Sequence, residues 1–156
     1  MEYTNDSITL TGQELHEMPE RICLFSGIKR LDLRNNSLTV LNKCLDNFNS
    51  LEYLNLTKNT FTEIPERVLE LESLKELHIA QNPVKNLPTA LKKLNNLEVL
   101  DLWDTDIEEV PEWIVEMENL KVLDVRNTYL KTADLEWLFK VRPDLKVESS
   151  FGCNCD

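Results

Sequence analysis

Residues 51–73 read LEYLNLTKNTFTEIPERVLELES, and residues 74–96 read LKELHIAQNPVKNLPTALKKLNN. Laid one over the other, the two stretches carry large apolar residues at the same places: positions one, four, six, eleven, fourteen, eighteen and twenty-one. The register extends both ways. Residues 28–50 (IKRLDLRNNSLTVLNKCLDNFNS) and 97–119 (LEVLDLWDTDIEEVPEWIVEMEN) follow it, an earlier copy starts near Asn5, and a later one starts at Leu120. Positions four and six are Ile8, Leu10, Leu31, Leu33, Leu54, Leu56, Leu77, Ile79, Leu100, Leu102, Leu123 and Val125, all aliphatic. At 42% apolar content, twelve chance hits have a likelihood of roughly three in a hundred thousand.

The spacing says how one copy folds. Positions four and six share one face of a short strand, because strand side chains alternate. Positions eleven (Leu15, Leu38, Phe61, Val84, Ile107, Leu130) and fourteen (Met18, Leu41, Ile64, Leu87, Val110) are expected to return to the same core. Positions eighteen and twenty-one (Ile22 and Phe25, Leu45 and Phe48, Val68 and Leu71, Leu91 and Leu94, Ile114 and Met117) stand three apart, as a short helical turn requires. Pro19, Pro65, Pro88 and Pro111, at position fifteen, suit the first turn of that helix. A single copy cannot bury its own edge, so stacked copies must share one core. At position nine, Asn36, Asn59 and Asn82 are predicted to bond backbone groups inside the coil. Gln13, Thr105 and Thr128 break that ladder toward both ends.

This pattern resembles the leucine-rich repeat family, L-x-x-L-x-L-x-x-N-x-L, over about Asn5 to Leu130. The segments Ile64-Pro65-Glu-Arg-Val68-Leu-Glu-Leu71 and Leu87-Pro88-Thr-Ala-Leu91-Lys-Lys-Leu94 are similar to the 23-residue subclass of intracellular Ras-group, Scribble-type and bacterial repeats. The resemblance implies an α/β solenoid. In such a solenoid a right-handed coil carries short parallel strands on a concave face and helical or 3-10 turns on a convex face. About six repeats are expected (near 5–27, 28–50, 51–73, 74–96, 97–119 and 120–131) within a single domain over 1–156. The register then breaks. Residues 132–149 read as a C-terminal cap: a helix with Thr132 as N-cap and Asp134 in its first turn, closed by Leu135, Leu138 and Phe139, then a last strand in Pro143-Asp-Leu-Lys-Val147. A tail covers 150–156. The N-terminal edge has no obvious cap. A missing element, a second copy, or Tyr3 and its neighbours could cover it.

Charge and cysteines narrow the function class. The chain has 28 acidic and 17 basic side chains, for a net charge of −11. Such a surface repels phosphate backbones, which argues against nucleic acid. It reads first as a solubility device, and more sharply as a match for a basic partner. No run of about 18 apolar residues is present, so no membrane-spanning helix is expected. The opening Met1-Glu-Tyr-Thr-Asn-Asp has neither a basic region nor a following apolar stretch, so no signal peptide is expected. Four cysteines (Cys23, Cys44, Cys153, Cys155) are few for a secreted disulfide scaffold, which points to the cytoplasm. Three N-x-S/T sequons, at Asn5, Asn35 and Asn55, match chance in an asparagine-rich repeat.

No constellation for catalysis emerges. Three glycines cannot build a phosphate loop, and His16 and His78 sit far apart in the repeat lattice. Cys23 and Cys44 fall on the convex side, away from His78, so no Cys–His pair is expected. The Cys153-Asn-Cys155-Asp156 tail reads as mobile and reduced. Soft-metal binding or a strained disulfide is its alternative. No catalytic residue, metal site or cofactor is assigned.

What remains is a face. Strand positions three, five and seven point outward, and the family resemblance implies that partners dock there. The candidates are Arg30, Asp32, Arg34, Tyr53, Asn55, Glu76, His78, Val99, Asp101, Trp103, Val122, Asp124 and Arg126. Trp103 and Tyr53 have no core duty at such positions, and aromatic residues dominate binding energy in interfaces. Trp103 has a second reading, as a cation–π partner of Arg126 along the sheet. Asp101 and Asp124, stacked beside Trp103, suit a basic or amphipathic segment. The expected function is a protein-interaction module or scaffold without catalysis. The alternative is the substrate-recognition fragment of a larger enzyme or effector.

Overall fold

A computed structural model describes residues 2–4 and 6–150. Its eight strands form one sheet in chain order. They are β1 (Glu2–Thr4), β2 (Ser7–Thr9), β3 (Arg30–Asp32), β4 (Tyr53–Asn55), β5 (Glu76–His78), β6 (Val99–Asp101), β7 (Val122–Asp124) and β8 (Lys146–Glu148). Strands β2 to β8 are parallel, and position four pairs with position four throughout: Leu31 with Leu54, Leu54 with Leu77, Leu77 with Leu100, Leu100 with Leu123. The strands end early because position eight turns left-handed in every coil. Gly12, Asn35, Lys58, Gln81, Asp104 and Asn127 all have φ between 53° and 62°. That conformation costs an L-residue roughly 1–2 kcal/mol, and no β-branched side chain occupies the column.

All twelve residues at positions four and six are buried, as are all five at position fourteen and all five at position eighteen. At positions eleven and twenty-one the exceptions are Leu15 and Phe25, half-buried and both in the first coil. The convex side carries five 3-10 turns, Glu20–Leu24, Lys43–Asn47, Glu66–Glu70, Thr89–Lys93 and Glu112–Glu116. Each proline sits one place earlier than expected, on the residue before the turn, where φ of −60° to −71° is already met. Its carbonyl accepts the first turn bond, as Pro65 does from Val68 at 2.9 Å. In the second coil Asn42 replaces proline, and its side chain accepts from the Cys44 N–H.

The asparagine ladder fastens coil to coil. Asn82 donates to the carbonyls of Leu56, Ile79 and Ala80 at 2.9–3.0 Å and accepts from the Phe61 N–H at 3.0 Å. Asn59 repeats this one coil earlier, and Asn36 reaches the Leu10 carbonyl of the first coil. Thr105 and Thr128 reach only their own coils, at Leu102 O and Val125 O. A second ladder runs along position twenty-three. Ser73, Asn96 and Asn119 donate to the carbonyls of Asn49, Glu72 and Asn95 in the preceding coil, at 2.7–2.8 Å.

Both ends are covered. The segment containing Tyr3 forms β1, which pairs antiparallel with β2. At the other end, helix α1 (Thr132–Val141) leads into β8, which extends the parallel sheet. Thr132 is the first helical residue and not the N-cap. Lys131 takes that place, its N–H donating to the Asp134 carboxylate at 2.7 Å. Leu135 and Leu138 close the core as expected, but Phe139, about 100° further round the helix than Leu138, is 37% exposed. Arg142 was not anticipated. Its guanidinium donates to the carbonyls of Val115, Met117 and Leu120 at 3.0–3.3 Å, satisfying the last convex turn. Cys23 and Cys44 lie on the convex side and form a disulfide there, with Cα atoms 5.1 Å apart. The Cys153–Cys155 tail lies outside the described residues.

Candidate partner-binding face

The outward side chains of β3 to β7 form a grid, and position five holds it together. The side-chain oxygens of Asp32, Asn55, Asp101 and Asp124 accept from the backbone N–H two residues on, at Arg34, Thr57, Trp103 and Arg126, with distances of 2.9–3.1 Å. An Asx turn therefore ends four of these five strands, β5 with His78 at position five being the exception. This explains the aspartate column: one oxygen of each residue satisfies a backbone donor that the parallel ladder leaves open. The second oxygen also has a partner. Asp32 pairs with Arg34 at 3.3 Å, Asp101 with His78 at 3.0 Å, and Asp124 with Arg126 at 2.5 Å. Asp124 is buried.

The middle of the grid is interlocked. The Arg30 guanidinium stands 3.8 Å from the Tyr53 ring centroid. That ring lies 5.1 Å from the His78 ring, and the Tyr53 hydroxyl accepts from the buried Asn55 amide at 3.0 Å. His78 bridges two carboxylates, Asp101 through Nδ1 at 3.0 Å and Glu76 through Nε2 at 3.4 Å. Burial alone would push the imidazole pKa down. The hydrogen bonds and charges of Asp101 and Glu76 outweigh burial and raise it above the ordinary 6.5.

Trp103 stands apart. It is 38% exposed, and its indole makes no hydrogen bond among the described residues. The Arg126 partnership does not form, because the guanidinium is held by both carboxylate oxygens of Asp124. Val99 and Val122, half-buried, pair side by side on β6 and β7, at position three of the face that carries Trp103 at position seven. Just beyond, Asp104 accepts from Gln81 and from Asn127, neither of which the sequence reading had singled out. Among the described residues no group of three His, Cys, Asp or Glu side chains could hold a metal ion, and no helix is long and apolar enough to cross a membrane.

A stacked parallel sheet, 3-10 turns opposite it and an internal asparagine ladder together define the architecture, and a model of the leucine rich repeat matches residues 51–107. The chain has the leucine-rich repeat fold. No curated protein matches it. Solved structures do. The leucine-rich repeat ectodomain of the Arabidopsis thaliana membrane receptor kinase GASSHO1/SCHENGEN3, in complex with CASPARIAN STRIP INTEGRITY FACTOR 2, is 25% identical with a TM-score of 0.61, over 78% of this chain and 15% of the receptor chain. A TDR receptor is 26% identical with a TM-score of 0.63, over 92% and 30%. A leucine-rich repeat protein of Leptospira interrogans is 22% identical with a TM-score of 0.66, over 92% and 48%, and shows the fold alone. This chain thus spans less than half the length of each.

Proposed function

We propose that this leucine-rich repeat chain is a protein-recognition module that binds its partner on the concave sheet face and performs no chemistry of its own. The observation that carries this is Trp103. It is a large aromatic side chain, left 38% exposed on a face whose other aromatic is locked in place. An exposed tryptophan on the same face as an apolar pair such as Val99 and Val122 is the composition of interface anchors. The receptor ectodomain crystallised with a bound factor supports the reading by analogy of fold. The contact surface is centred on Val99, Trp103 and Val122. Arg30, Arg34, Glu76 and Arg126 are charged groups around it, and Asp32, Tyr53, Asn55, His78, Asp101 and Asp124 are its support.

The partner is a basic or amphipathic protein segment. Asp104 and Asp106 follow the tryptophan in sequence and the net charge is −11, which favours cations and disfavours phosphate backbones. A cytoplasmic location remains part of this reading on the few cysteines, and it requires the Cys23–Cys44 disulfide to form against cytosolic thiols. The second reading, a recognition fragment of a longer enzyme or effector, is favoured by one fact: the chain spans only 15–48% of its structural neighbours.

The test is an affinity pull-down from host lysate with wild type and Trp103→Asp, read by mass spectrometry, with circular dichroism to confirm that both fold. A protein retained by wild type and lost by the variant supports the concave site. Retention of the same proteins by both removes Trp103 from it.

A further inference from the structure

On the convex side, position nineteen of one coil faces position seventeen of the next. The two residues are 21 apart in sequence. This one lattice edge is occupied differently along the solenoid. Cys23 and Cys44 fill it first, as a disulfide. Asp46 and Arg67 fill it next, as an ion pair in which the guanidinium meets both carboxylate oxygens at 2.8–2.9 Å. Leu69 with Ala90, and Lys92 with Trp113, hold the same places in the later coils. The edge is therefore stapled at its first two places, and the covalent staple ties the first coil to the second.

The first coil is also the one that depends most on a staple. Leu15 and Phe25 are only half-buried, while their equivalents in later coils are buried. Gln13 replaces the ladder asparagine and bonds only locally through its amide, to Thr11 O at 3.3 Å. The Thr11 hydroxyl is buried with no hydrogen-bond partner among the described residues.

We propose that the Cys23–Cys44 pair is a thiol–disulfide exchange site that sets the order of the first coil. In the open form, the half-buried Cys23 thiolate attacks a low-molecular-weight disulfide, forming a mixed disulfide and releasing one thiol. The Cys44 thiolate, having lost its proton to water, then attacks Cys23 Sγ, closes the ring and releases the second thiol. The protein has lost two electrons and two protons, and the small disulfide has been reduced to two thiols. A dithiol reverses both steps. Cys44 is 8% exposed, so Cys23 is the sulfur that external reagents reach. The ring spans residues 23–44 and so encloses β3, which carries Arg30 and with it the support for Tyr53; it anchors the first coil's Glu20–Leu24 turn to the second coil, and β2 is reached through its pairing with β3.

The test is hydrogen exchange of the full chain in a Cys153→Ser, Cys155→Ser background, in oxidised and then in reduced glutathione. Alkylation and intact mass report the thiols. The expected result is a disulfide in the first buffer and thiols in the second. Exchange across residues 6–44 should rise on reduction, by about a hundredfold within the 23–44 ring, the effect expected of a ring of this size, and by less across residues 6–22, while residues 51–148 stay unchanged. Adding Cys23→Ser should give the reduced pattern in both buffers, whereas Asp46→Asn should loosen residues 43–70 equally in both. Free thiols at Cys23 and Cys44 in oxidised glutathione, or equal exchange of residues 6–44 in the two buffers, overturns the proposal.

Discussion

The middle coils, carrying β4 and β5, and the later coils, carrying β6 and β7, share one repeat and use it differently. In the middle coils almost every polar group is tied. Asn82 makes four hydrogen bonds inside the solenoid. Outside it, Tyr53 is caught between Arg30 and His78. In the later coils Thr105 makes one bond where asparagine makes four, and Trp103 stands outside with its ring uncovered. The same strand face thus has a half that is closed on itself and a half that is open. An aromatic residue at an outward strand position says little by its type alone. Its neighbours decide whether it serves the fold or a partner.

The sharpest way to break this comparison is inside the coil. Asn82→Ala orphans the buried Phe61 N–H and the Ile79 carbonyl, while the Leu56 carbonyl keeps Asn59 and the Ala80 carbonyl keeps the Lys58 N–H, and each unsatisfied group costs about 1–3 kcal/mol. A loss near 3 kcal/mol or more is expected in urea denaturation, against about 1 kcal/mol for Thr105→Ala, which frees one carbonyl. Equal losses would mean that the asparagine ladder does not distinguish the two regions. The outer face gives the next test. Tyr53→Leu loses the cation–π contact and the Asn55 hydrogen bond, for about 1–2 kcal/mol. Trp103→Leu stays within about 0.5 kcal/mol, as an exposed site should. A destabilised Trp103→Leu would show that the indole has a structural duty.

The smallest effect is in pH. His78 has its pKa raised in the fold by Asp101 and Glu76, against the pull of burial. A raised value means that the protonated form is favoured by folding. The contribution is full below the unfolded value of 6.5 and is lost as pH rises through the shifted value. With the ring and its carboxylate partners partly open to solvent, this contribution is smaller than those of the substitutions above. Melting curves between pH 5.5 and 8.5 should show a small decline in wild type and a smaller one in His78→Phe. A rise in stability over that window would reverse the sign and refute the assignment.

The repeat was legible because burial imposes its own period. Positions four, six, eleven and fourteen must be apolar in every coil, so Leu54 and Leu77 announce the same place 23 residues apart. The asparagine ladder was legible because one side-chain type serves one backbone need. Other features lacked such a signal. The left-handed column holds Gly12, Asn35, Lys58, Gln81, Asp104 and Asn127, which share a backbone angle and no chemistry. Asp101 and Asp124 looked like carboxylates awaiting a cation, since the Asx turn that engages them is visible only once the strand end is known. Cys23 and Cys44 sit at non-equivalent repeat positions, and the stagger between coils brings them together. Arg142 follows the last repeat, where no period applies.

Hydrogen exchange of the complex with the captured partner tests the central claim most directly. The account predicts slowed exchange across residues 99–104 and 122–127, with the convex turns Glu66–Glu70 and Thr89–Lys93 unchanged. Protection confined to those turns, with residues 99–104 exchanging as in the free protein, would contradict it.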